Sequence, residues 1–353
     1  MIRVIKSGIM TTVQDAGRWG YQAFGITVAG AMDMKAYKVA NLLVGNELTD
    51  AALEMTVLGG EYEFTSDCLV AITGADMNAT LNDLPVANWS SFKVAAGDIL
   101  RLGFVVTGCR AYLAVSGGLD VPVVLGSRST HTRSKIGGYQ GRTLQNGDEL
   151  QILPRRSSHC SSINLPKDFV PNYPNEIAVR VILGAQQEAF TVDGIKTLFS
   201  GEYTITADAD RMGYRLEGAK VEHVDSADIV SDALSAGAIQ VPAHGMPIIM
   251  MADRQTTGGY TKIGAVIGAD LGVLAQAKPG DKVRFVEVDD DLAVAALQDD
   301  QLYLANINAF IQQQLDNKDM VAAVAGAIIC KQQVKTYQIS FNQKSFVVEV
   351  LEK

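Results

Sequence analysis

Five polar side chains of different chemistry follow one another in one short segment of the chain. The segment reads, in order, Asp253, Arg254, Gln255, Thr256, Thr257, Gly258 and Gly259. A carboxylate, a guanidinium, an amide and two hydroxyls can together position a polar substrate or an oxyanion. Glycine also lets the backbone approach a ligand closely. The segment is a candidate functional site, and an ordinary hairpin loop is the alternative interpretation.

Apolar residues flank this polar segment on both sides. Residues 247–251 form an unbroken apolar run of strand length, and apolar residues resume after Gly259. We therefore predict a strand, a polar loop and a second strand. Loops held between strands are where functional side chains are commonly placed.

A second polar cluster lies near the N-terminus. Gln14, Asp15 and Arg18 occur among glycines at positions 17, 20 and 25. This density of glycine predicts an irregular, closely packed loop. The alternative is a structural loop in which Arg18 and Asp15 pair with each other.

Two further polar loops contain arginine. Residues 125–133 are rich in hydroxyl groups and include Arg128, whereas residues 208–215 combine acidic side chains with Arg211. Arginine and hydroxyl donors suit a phosphate or a carboxylate, and a solvated basic loop is the alternative for residues 125–133. No segment matches the G-x-x-x-x-G-K-[ST] phosphate-binding motif, so no motif argues for ATP binding.

The composition predicts a strand-rich protein of two domains. The chain has 353 residues, 48% of them apolar, with 33 glycines and only 7% aromatic residues. A formal charge of −9 argues against nucleic acid or an anionic membrane as the main partner. The sequence contains no signal-peptide pattern and no run of about 18 apolar residues. We therefore expect a cytoplasmic protein that binds a small molecule or another protein.

The cysteines predict neither a metal site nor a disulfide framework. Cys68, Cys109, Cys160 and Cys330 are far apart, without a C-x-x-C pair and without a histidine at ligand spacing. We expect all four to be free, buried thiols.

The clearest predicted helix follows Asp33. Asp33 suits the N-cap, apolar residues recur at helical spacing over residues 36–43, and Gly45 supplies a stop. Residues 31–35 superficially resemble the turn that carries biotin, but biotin carriers hold their lysine at a hairpin tip. We predict that Lys35 is a solvated surface residue.

A Gly-Asp turn followed by alternating apolar residues occurs three times, at residues 97–102, 147–152 and 280–285. Each copy predicts a turn that enters a strand. Residues 154–176 concentrate proline, serine and asparagine and lack periodicity, so we place an interdomain linker there. The first and third turns lie on opposite sides of this linker, which suggests that two domains share an architecture.

The predicted domains are two β-rich segments, residues 1–153 and residues 177–288. The remaining residues, 289–353, differ in character. Two amphipathic helical segments, at residues 289–315 and 319–329, precede a predicted β-hairpin at residues 337–350. We interpret this tail as a docking appendage.

Seven segments together carry a family resemblance. They lie at residues 12–21, 30–33, 40–46, 114–118, 125–130, 210–216 and 252–260. On these segments the chain resembles the allophanate hydrolase subunit 2-like, biotin-dependent carboxyltransferase-like family, which includes the C subunit of the bacterial ATP-dependent 5-oxoprolinase. The resemblance covers most of residues 1–287, and the tail lies outside it.

The resemblance implies two tandem cyclophilin-like β-barrel domains. Together with the helices and the tail predicted above, the expected fold is mainly β, with a few helices and a C-terminal α/β appendage. The resemblance also implies a complex with two other proteins of the 5-oxoprolinase system. One is subunit 1-like and is called here the B-type protein; the other is a lactam-utilisation protein and is called here the A-type protein. That complex would use ATP and Mg²⁺. We expect no bound biotin, because the chain has no biotin-carrier lysine.

Three functions follow as expectations. The first is opening of the lactam of 5-oxo-L-proline to L-glutamate by the three-protein complex. The second is the carboxyltransferase part of a biotin-dependent urea carboxylase or allophanate-type system. The third is a non-catalytic regulatory partner of the subunit 1-like protein.

The polar loops supply the expected site residues. The expected catalytic residues are Asp253, Arg254, Thr256 and Thr257. The expected substrate-binding residues are Gln14, Asp15, Arg18, Arg128, Arg211, Gln255, Gly258 and Gly259. We expect Arg254 and the two threonines to donate to the lactam or phosphoryl oxygen. Asp253 is expected to orient Arg254 or to hold magnesium.

Overall fold

The structure is a computed structural model that describes residues 1–154, 161–330, 334–341 and 344–351, with only the backbone described from residue 318 onward. The chain divides into two compact units, Met1–Ile307 and Asn308–Lys353. Part of the predicted linker, residues 155–160, lies outside the described residues.

Thirteen strands and one α-helix are described in the N-terminal part of the first unit. They are β1 (Ile2–Lys6), β2 (Met10–Gln14), α1 (Met34–Leu43), β3 (Ala52–Thr56), β4 (Glu61–Phe64), β5 (Cys68–Asp76), β6 (Thr80–Leu81), β7 (Leu84–Pro85), β8 (Ser90–Val94), β9 (Ile99–Arg101), β10 (Thr107–Val115), β11 (Leu119–Asp120), β12 (Glu149–Ile152) and β13 (Ile163–Asn164).

These strands form two sheets, which we call the N-terminal sheets. One has seven strands in the order β11-β12-β1-β4-β9-β6-β7, and the other has six in the order β13-β8-β5-β10-β3-β2. Both sheets contribute to a single apolar core, in which Ile2, Leu53, Phe64 and Leu113 are at most 1% exposed. Burial of this core is the main stabilising contribution in this part of the chain.

The segment that follows, as described, contains nine strands and two α-helices. They are β14 (Glu176–Leu183), α2 (Val192–Ser200), β15 (Tyr203–Ile205), β16 (Gly213–Glu217), β17 (Asp228–Ala233), β18 (Ala238–Gln240), β19 (Ile248–Met250), β20 (Thr257–Tyr260), β21 (Lys262–Val266), α3 (Leu271–Ala275) and β22 (Lys282–Glu287).

Seven of these strands close into a barrel in the order β14-β21-β18-β19-β16-β15-β22. The barrel pairs are antiparallel except β14 with β22, which run parallel with Glu176 opposite Lys282. Strands β17 and β20 form a separate two-stranded sheet. Met32, from the loop before α1, packs into the barrel's apolar core, so the N-terminal sheets and the barrel share packing contacts. The mainly β fold is therefore confirmed.

Local signals in the sequence predict several elements correctly. Helix α1 begins after Asp33, whose carboxylate accepts the backbone N–H of Ala36 at 3.0 Å, as the N-cap prediction requires. The three Gly-Asp turns lead into β9, β12 and β22. In each turn the glycine has a positive φ, between 87° and 93°, and the aspartate accepts a backbone N–H three residues earlier. The turn prediction is confirmed in all three places.

The predicted domain boundaries stay predictions. Within the predicted linker, β13 pairs with β8, placing Ile163 opposite Ser91. Further along, the hydroxyl of Tyr173 donates to Asp33 Oδ2 at 3.1 Å. The described part of this segment is thus bonded to the N-terminal sheets and to the start of α1.

The C-terminal segment differs from its prediction in one respect. A single helix of 41 residues, α4 (Asp290–Cys330), replaces the two predicted helical segments. Residues 316–319 read Asp-Asn-Lys-Asp and contain neither proline nor glycine, so nothing ends the helix there. Strands β23 (Val334–Phe341) and β24 (Lys344–Leu351) pair as the predicted hairpin. None of the helices in the described part of the chain is long and apolar enough to cross a membrane.

Candidate functional site

Asp15, directly after β2, binds the hydroxyl-rich loop. Its Oδ1 accepts hydrogen bonds from the hydroxyls of Ser127 at 2.7 Å and Ser129 at 2.5 Å, and its Oδ2 accepts the N–H of Arg128 at 2.5 Å. A fourth bond comes from the N–H of Gly17 at 2.9 Å. The expected pairing of Asp15 with Arg18 is therefore wrong, because both carboxylate oxygens of Asp15 are engaged elsewhere.

Arg18 is a fully buried cation held by backbone carbonyls. Its Nε donates to Val124 O at 2.9 Å and its Nη2 donates to Ser129 O at 2.8 Å. Burial lowers the pKa of Arg18. Among the described residues, Arg18 Nη1 and Gln14 Oε1 are buried without a hydrogen-bond partner. One donor and one acceptor are therefore available here to a small polar ligand.

The side chain of Arg128 binds a different backbone carbonyl from those that hold Arg18. Its Nε donates to Val121 O at 3.1 Å, and the residue is half-buried. Arg128 thus stabilises this loop through two contacts. Its backbone N–H binds Asp15, and its side chain binds the carbonyl of Val121. The structure groups Asp15, Arg18 and Arg128 around one loop, and Gln14 binds the same loop through Thr130 O at 3.1 Å.

A buried ion-pair network joins the N-terminal sheets to the barrel. Arg211, which precedes β16, binds Asp253 through Nε at 2.9 Å and Nη2 at 2.8 Å. Its Nη1 donates to Glu54 on β3, and its Nη2 also donates to Gly30 O at 2.7 Å. Burial disfavours the cation, but the carboxylates of Asp253 and Glu54 outweigh this and raise the pKa of Arg211. Both oxygens of Asp253 bind Arg211, so the Asp253 carboxylate makes no direct hydrogen bond to the Arg254 side chain in the described structure.

Glu54 is a site residue that the sequence interpretation missed. Its Oε2 accepts the hydroxyl of Tyr112 at 2.7 Å and the N–H of Met32 at 2.8 Å. The same tyrosine hydroxyl accepts the N–H of Asp33 at 2.8 Å. A signal was present, since Glu54 is one carboxylate in an otherwise apolar strand sequence, and buried carboxylates need partners.

Replacing Tyr112 with phenylalanine is expected to lower the free energy of unfolding by about 1–2 kcal/mol, because Glu54 and the N–H of Asp33 each lose a buried partner. Chemical denaturation measures this change. Tyr62→Phe is the matched control, since Tyr62 is equally buried but its hydroxyl makes only a 3.4 Å contact with Thr11. An equal loss in both variants would show that the Tyr112 hydroxyl has no special role.

Gln276 forms a second buried bridge between the barrel and the N-terminal sheets. Its Oε1 accepts the N–H groups of Cys109 at 3.0 Å and Arg110 at 2.9 Å. Its Nε2 donates to Asp33 Oδ2 at 2.8 Å and to Arg110 O at 2.9 Å. The amide is therefore fully hydrogen-bonded, and it fixes the loop after α3 against β10 and the start of α1.

Arg254 lines a cavity of about 240 Å³ between the N-terminal sheets and the barrel. Its Nε and Nη1 make only long contacts, to Leu234 O at 3.2 Å and Met251 O at 3.3 Å. Burial lowers the pKa of Arg254, and no carboxylate in the described residues offsets this. The remaining wall is mainly apolar and includes Trp19 and Leu271. A buried guanidinium facing an apolar cavity suits a small organic anion.

Lys35 and Asp300 are the other charged residues that line this cavity. The Lys35 ammonium lies 2.6 Å from Asp300 Oδ1 and 5.2 Å from the centre of the Tyr303 ring. The Lys35 side chain is 28% exposed, so it is only partly solvated, and its ion pair with Asp300 was not predicted. The sequence could not reveal this pairing, because Asp300 follows Lys35 by more than two hundred positions on a different helix.

The other residues of the polar segment 253–259 do not line the cavity that contains Arg254. Gln255 is exposed and lines a different, more polar pocket of about 330 Å³ that also includes Arg133 and Arg215. Thr257 is exposed on β20, and Thr256 O accepts the N–H of Leu234. These residues therefore do not share the cavity with Arg254.

Glycines 258 and 259 lie in β20, which pairs with β17, whereas β19 pairs with β16 and β18. The two strands around the polar segment are not hydrogen-bonded to each other, so the ordinary-hairpin alternative is wrong. A Cβ at position 258 would lie 2.5 Å from Gln240 Nε2, so a larger residue there would require that side chain to shift.

His131 is expected to make stability pH-dependent below about pH 6.5. It is buried, and burial lowers its pKa from the ordinary value of 6.5. The unfolded chain therefore binds more protons in the window just below 6.5, and stability falls as the pH drops through it. Denaturation from pH 7 to pH 5 should show a shallower loss for His131→Leu than for the unsubstituted chain. The exposed His244→Gln serves as the control and should keep the original slope.

Comparison with known proteins gives consistent matches. The family model described as carboxyltransferase domain, subdomain A and B, matches residues 24–287. The chain is 37% identical to the C subunit of 5-oxoprolinase from Escherichia coli, over 87% of this chain and 97% of that protein. It is 36% identical to the C subunit of 5-oxoprolinase from Haemophilus influenzae, over 89% of this chain and 100% of that protein.

A solved structure extends the comparison. The crystal structure of the Kluyveromyces lactis urea carboxylase matches with a TM-score of 0.81 and 31% identity, over 87% of this chain. The match spans only 29% of that longer chain. In this comparison, the fold of this chain therefore corresponds to one segment of a larger protein.

Proposed function

The chain belongs to the family of carboxyltransferase domains with subdomains A and B, and on that premise we propose that it is the C subunit of an ATP-dependent 5-oxoprolinase. Together with the B-type and A-type proteins of that system, it would open 5-oxo-L-proline to L-glutamate. Two relatives of that name support the proposal, since the matches cover 97% and 100% of their lengths. The complex would lie in the cytoplasm, where ATP is available.

The observation that carries the proposal is the Arg254 cation, which has no carboxylate partner among the described residues and lines a mainly apolar cavity. The proposed substrate has one carboxylate and a small ring. Arg254 would bind the carboxylate through charge-assisted hydrogen bonds, and the apolar wall would cover the ring. Asp253, held at both oxygens by Arg211, fixes the backbone immediately before Arg254. The ion-pair network would therefore position the binding residue without touching the substrate.

The described residues of this chain offer no cluster of ligands for Mg²⁺. In that part of the chain no group of three or more His, Cys, Asp or Glu side chains could hold a metal ion. Asp253, the expected magnesium ligand, has both oxygens engaged by Arg211. We propose that the partner proteins supply the groups that hold ATP and Mg²⁺, while this chain binds the substrate.

The second candidate function is carboxyl transfer in a biotin-dependent urea carboxylase system, and the structural match to the Kluyveromyces lactis urea carboxylase favours it. The third is a regulatory partner of the B-type protein, without catalysis. Both use the same fold, so the fold does not distinguish them from the first.

The composition of the native complex separates these functions. The full-length chain, tagged and purified from its own cells, should bring down the B-type and A-type proteins in fixed ratio. Recovery of a biotin carboxylase with a biotin carrier would overturn the proposal in favour of carboxyl transfer. A tight pair with the B-type protein alone, inactive toward 5-oxo-L-proline in every combination, would favour the regulatory function.

A further inference from the structure

Asp300 lines the cavity although it lies outside the matched family domain. The family model ends at residue 287, whereas Asp300 is on α4. Its carboxylate contacts Lys35, which is on α1 within the family domain. A residue from the segment after the family domain therefore takes part in the wall of the candidate site.

The N-terminal turns of α4 hold Asp300 in a fixed position. Ala296, one turn earlier, is 4% exposed and packs with Ile267 and Ala269. Tyr303, one turn later, donates from its hydroxyl to Phe169 O at 2.6 Å. Residues at this spacing share one helix face, so both anchors place Asp300 on the face that meets the cavity.

The charged residues that line the cavity are two cations and one carboxylate. Lys35 and Asp300 form a close ion pair, and Arg254 has no carboxylate partner among the described residues. Asp33 is near in sequence but does not line the cavity in the described structure, and its oxygens accept hydrogen bonds from Ala36, Gln276 and Tyr173. The cavity wall therefore presents one uncompensated positive charge.

We propose that Asp300 is a specificity-determining residue that restricts the cavity to ligands with a single carboxylate. Asp300 neutralises Lys35 and repels a second negative group, leaving Arg254 as the one anion-binding residue of the described wall. The inference rests on the proposed function and deepens it. The proposed substrate has one carboxylate, whereas lactam opening creates a second, so the same residue also favours release of the product.

Calorimetric titration of the purified full-length chain tests this inference. The probes are 5-oxo-L-proline, with one carboxylate, and glutarate, with two. The unsubstituted chain should bind 5-oxo-L-proline at least about tenfold more tightly than glutarate. Asp300→Asn should strengthen glutarate binding by about tenfold and change 5-oxo-L-proline binding by less than about threefold.

Two further variants separate charge selection from a general structural effect. Asp299→Asn makes the same charge change one residue earlier, at an exposed position, and should keep the original preference. The double variant Lys35→Gln with Asp300→Asn restores one uncompensated cation and should also return to the original preference. This variant keeps the test decisive if Asp300→Asn alone folds poorly.

An unchanged ratio of the two affinities in folded Asp300→Asn would overturn the inference. Failure of every variant to bind either probe would overturn it as well, while activity of the reconstituted complex would still decide the proposed function. Conversely, an inactive complex with the expected change in preference would reject the 5-oxoprolinase reaction and retain the single-carboxylate site.

Discussion

Arg211→Leu is expected to lower the free energy of unfolding by about 3–5 kcal/mol, because it leaves two buried carboxylates without their shared cation. Glu54 is 1% exposed and Asp253 is 5% exposed, so solvent cannot replace the lost partner. The bidentate contact with Asp253 and the contacts with Glu54 and Gly30 O would all be lost together. The effect should be large because the network joins the N-terminal sheets to the barrel.

Urea denaturation followed by the fluorescence of buried Trp89 measures this change. Arg215→Leu is the matched control, since Arg215 is exposed on β16 and its loss should cost less than about 0.5 kcal/mol. Arg211→Lys should fall between the two, because lysine keeps the charge but lacks the planar fork that binds Asp253. A loss below about 1 kcal/mol for Arg211→Leu would contradict the network's structural role.

Arg254→Met is expected to reduce kcat/KM of the reconstituted complex for 5-oxo-L-proline by about a hundredfold, or about 2.7 kcal/mol of transition-state binding. Methionine keeps much of the apolar volume and removes the cation that we propose binds the substrate carboxylate. Arg254→Lys should retain part of the activity, because it keeps a charge without bidentate geometry.

The control for this prediction lies in the other pocket. Arg215→Met removes an exposed arginine from the more polar pocket and should leave kcat/KM within about threefold of the unsubstituted value. The denaturation midpoint of Arg254→Met should stay close to that of the unsubstituted chain, since its contacts are long. Activity of Arg254→Met within about threefold of the unsubstituted complex would remove Arg254 from the site.

The sequence predicted those features that local chemistry controls. The Gly-Asp turns, the N-cap at Asp33 and the strand before Asp253 depend on neighbouring residues, and the structure contains them. The polar loops were also visible, because acidic and basic side chains interrupt apolar strands. For this reason the sequence alone was enough to nominate Arg211 and Arg254 as candidate site residues.

Pairings between distant residues could not be predicted in this way. Arg211 and Glu54 are 157 residues apart, and only the packing of the barrel against the N-terminal sheets brings them together. Lys35 was assigned to solvent because its ion-pair partner lies on α4. The placement of Arg254 and Gln255 in two different pockets likewise depends on strand pairing and not on local composition.

The central claim is that this chain is the C subunit of a three-protein 5-oxoprolinase, and glutamate formation by the reconstituted complex tests it most directly. The A-type and B-type proteins would be assayed with ATP, Mg²⁺ and 5-oxo-L-proline, with and without this chain. We expect glutamate formation to require ATP and to fall by about a hundredfold or more when this chain is omitted. Equal rates with and without the chain, or no glutamate from the complete mixture, would contradict the claim.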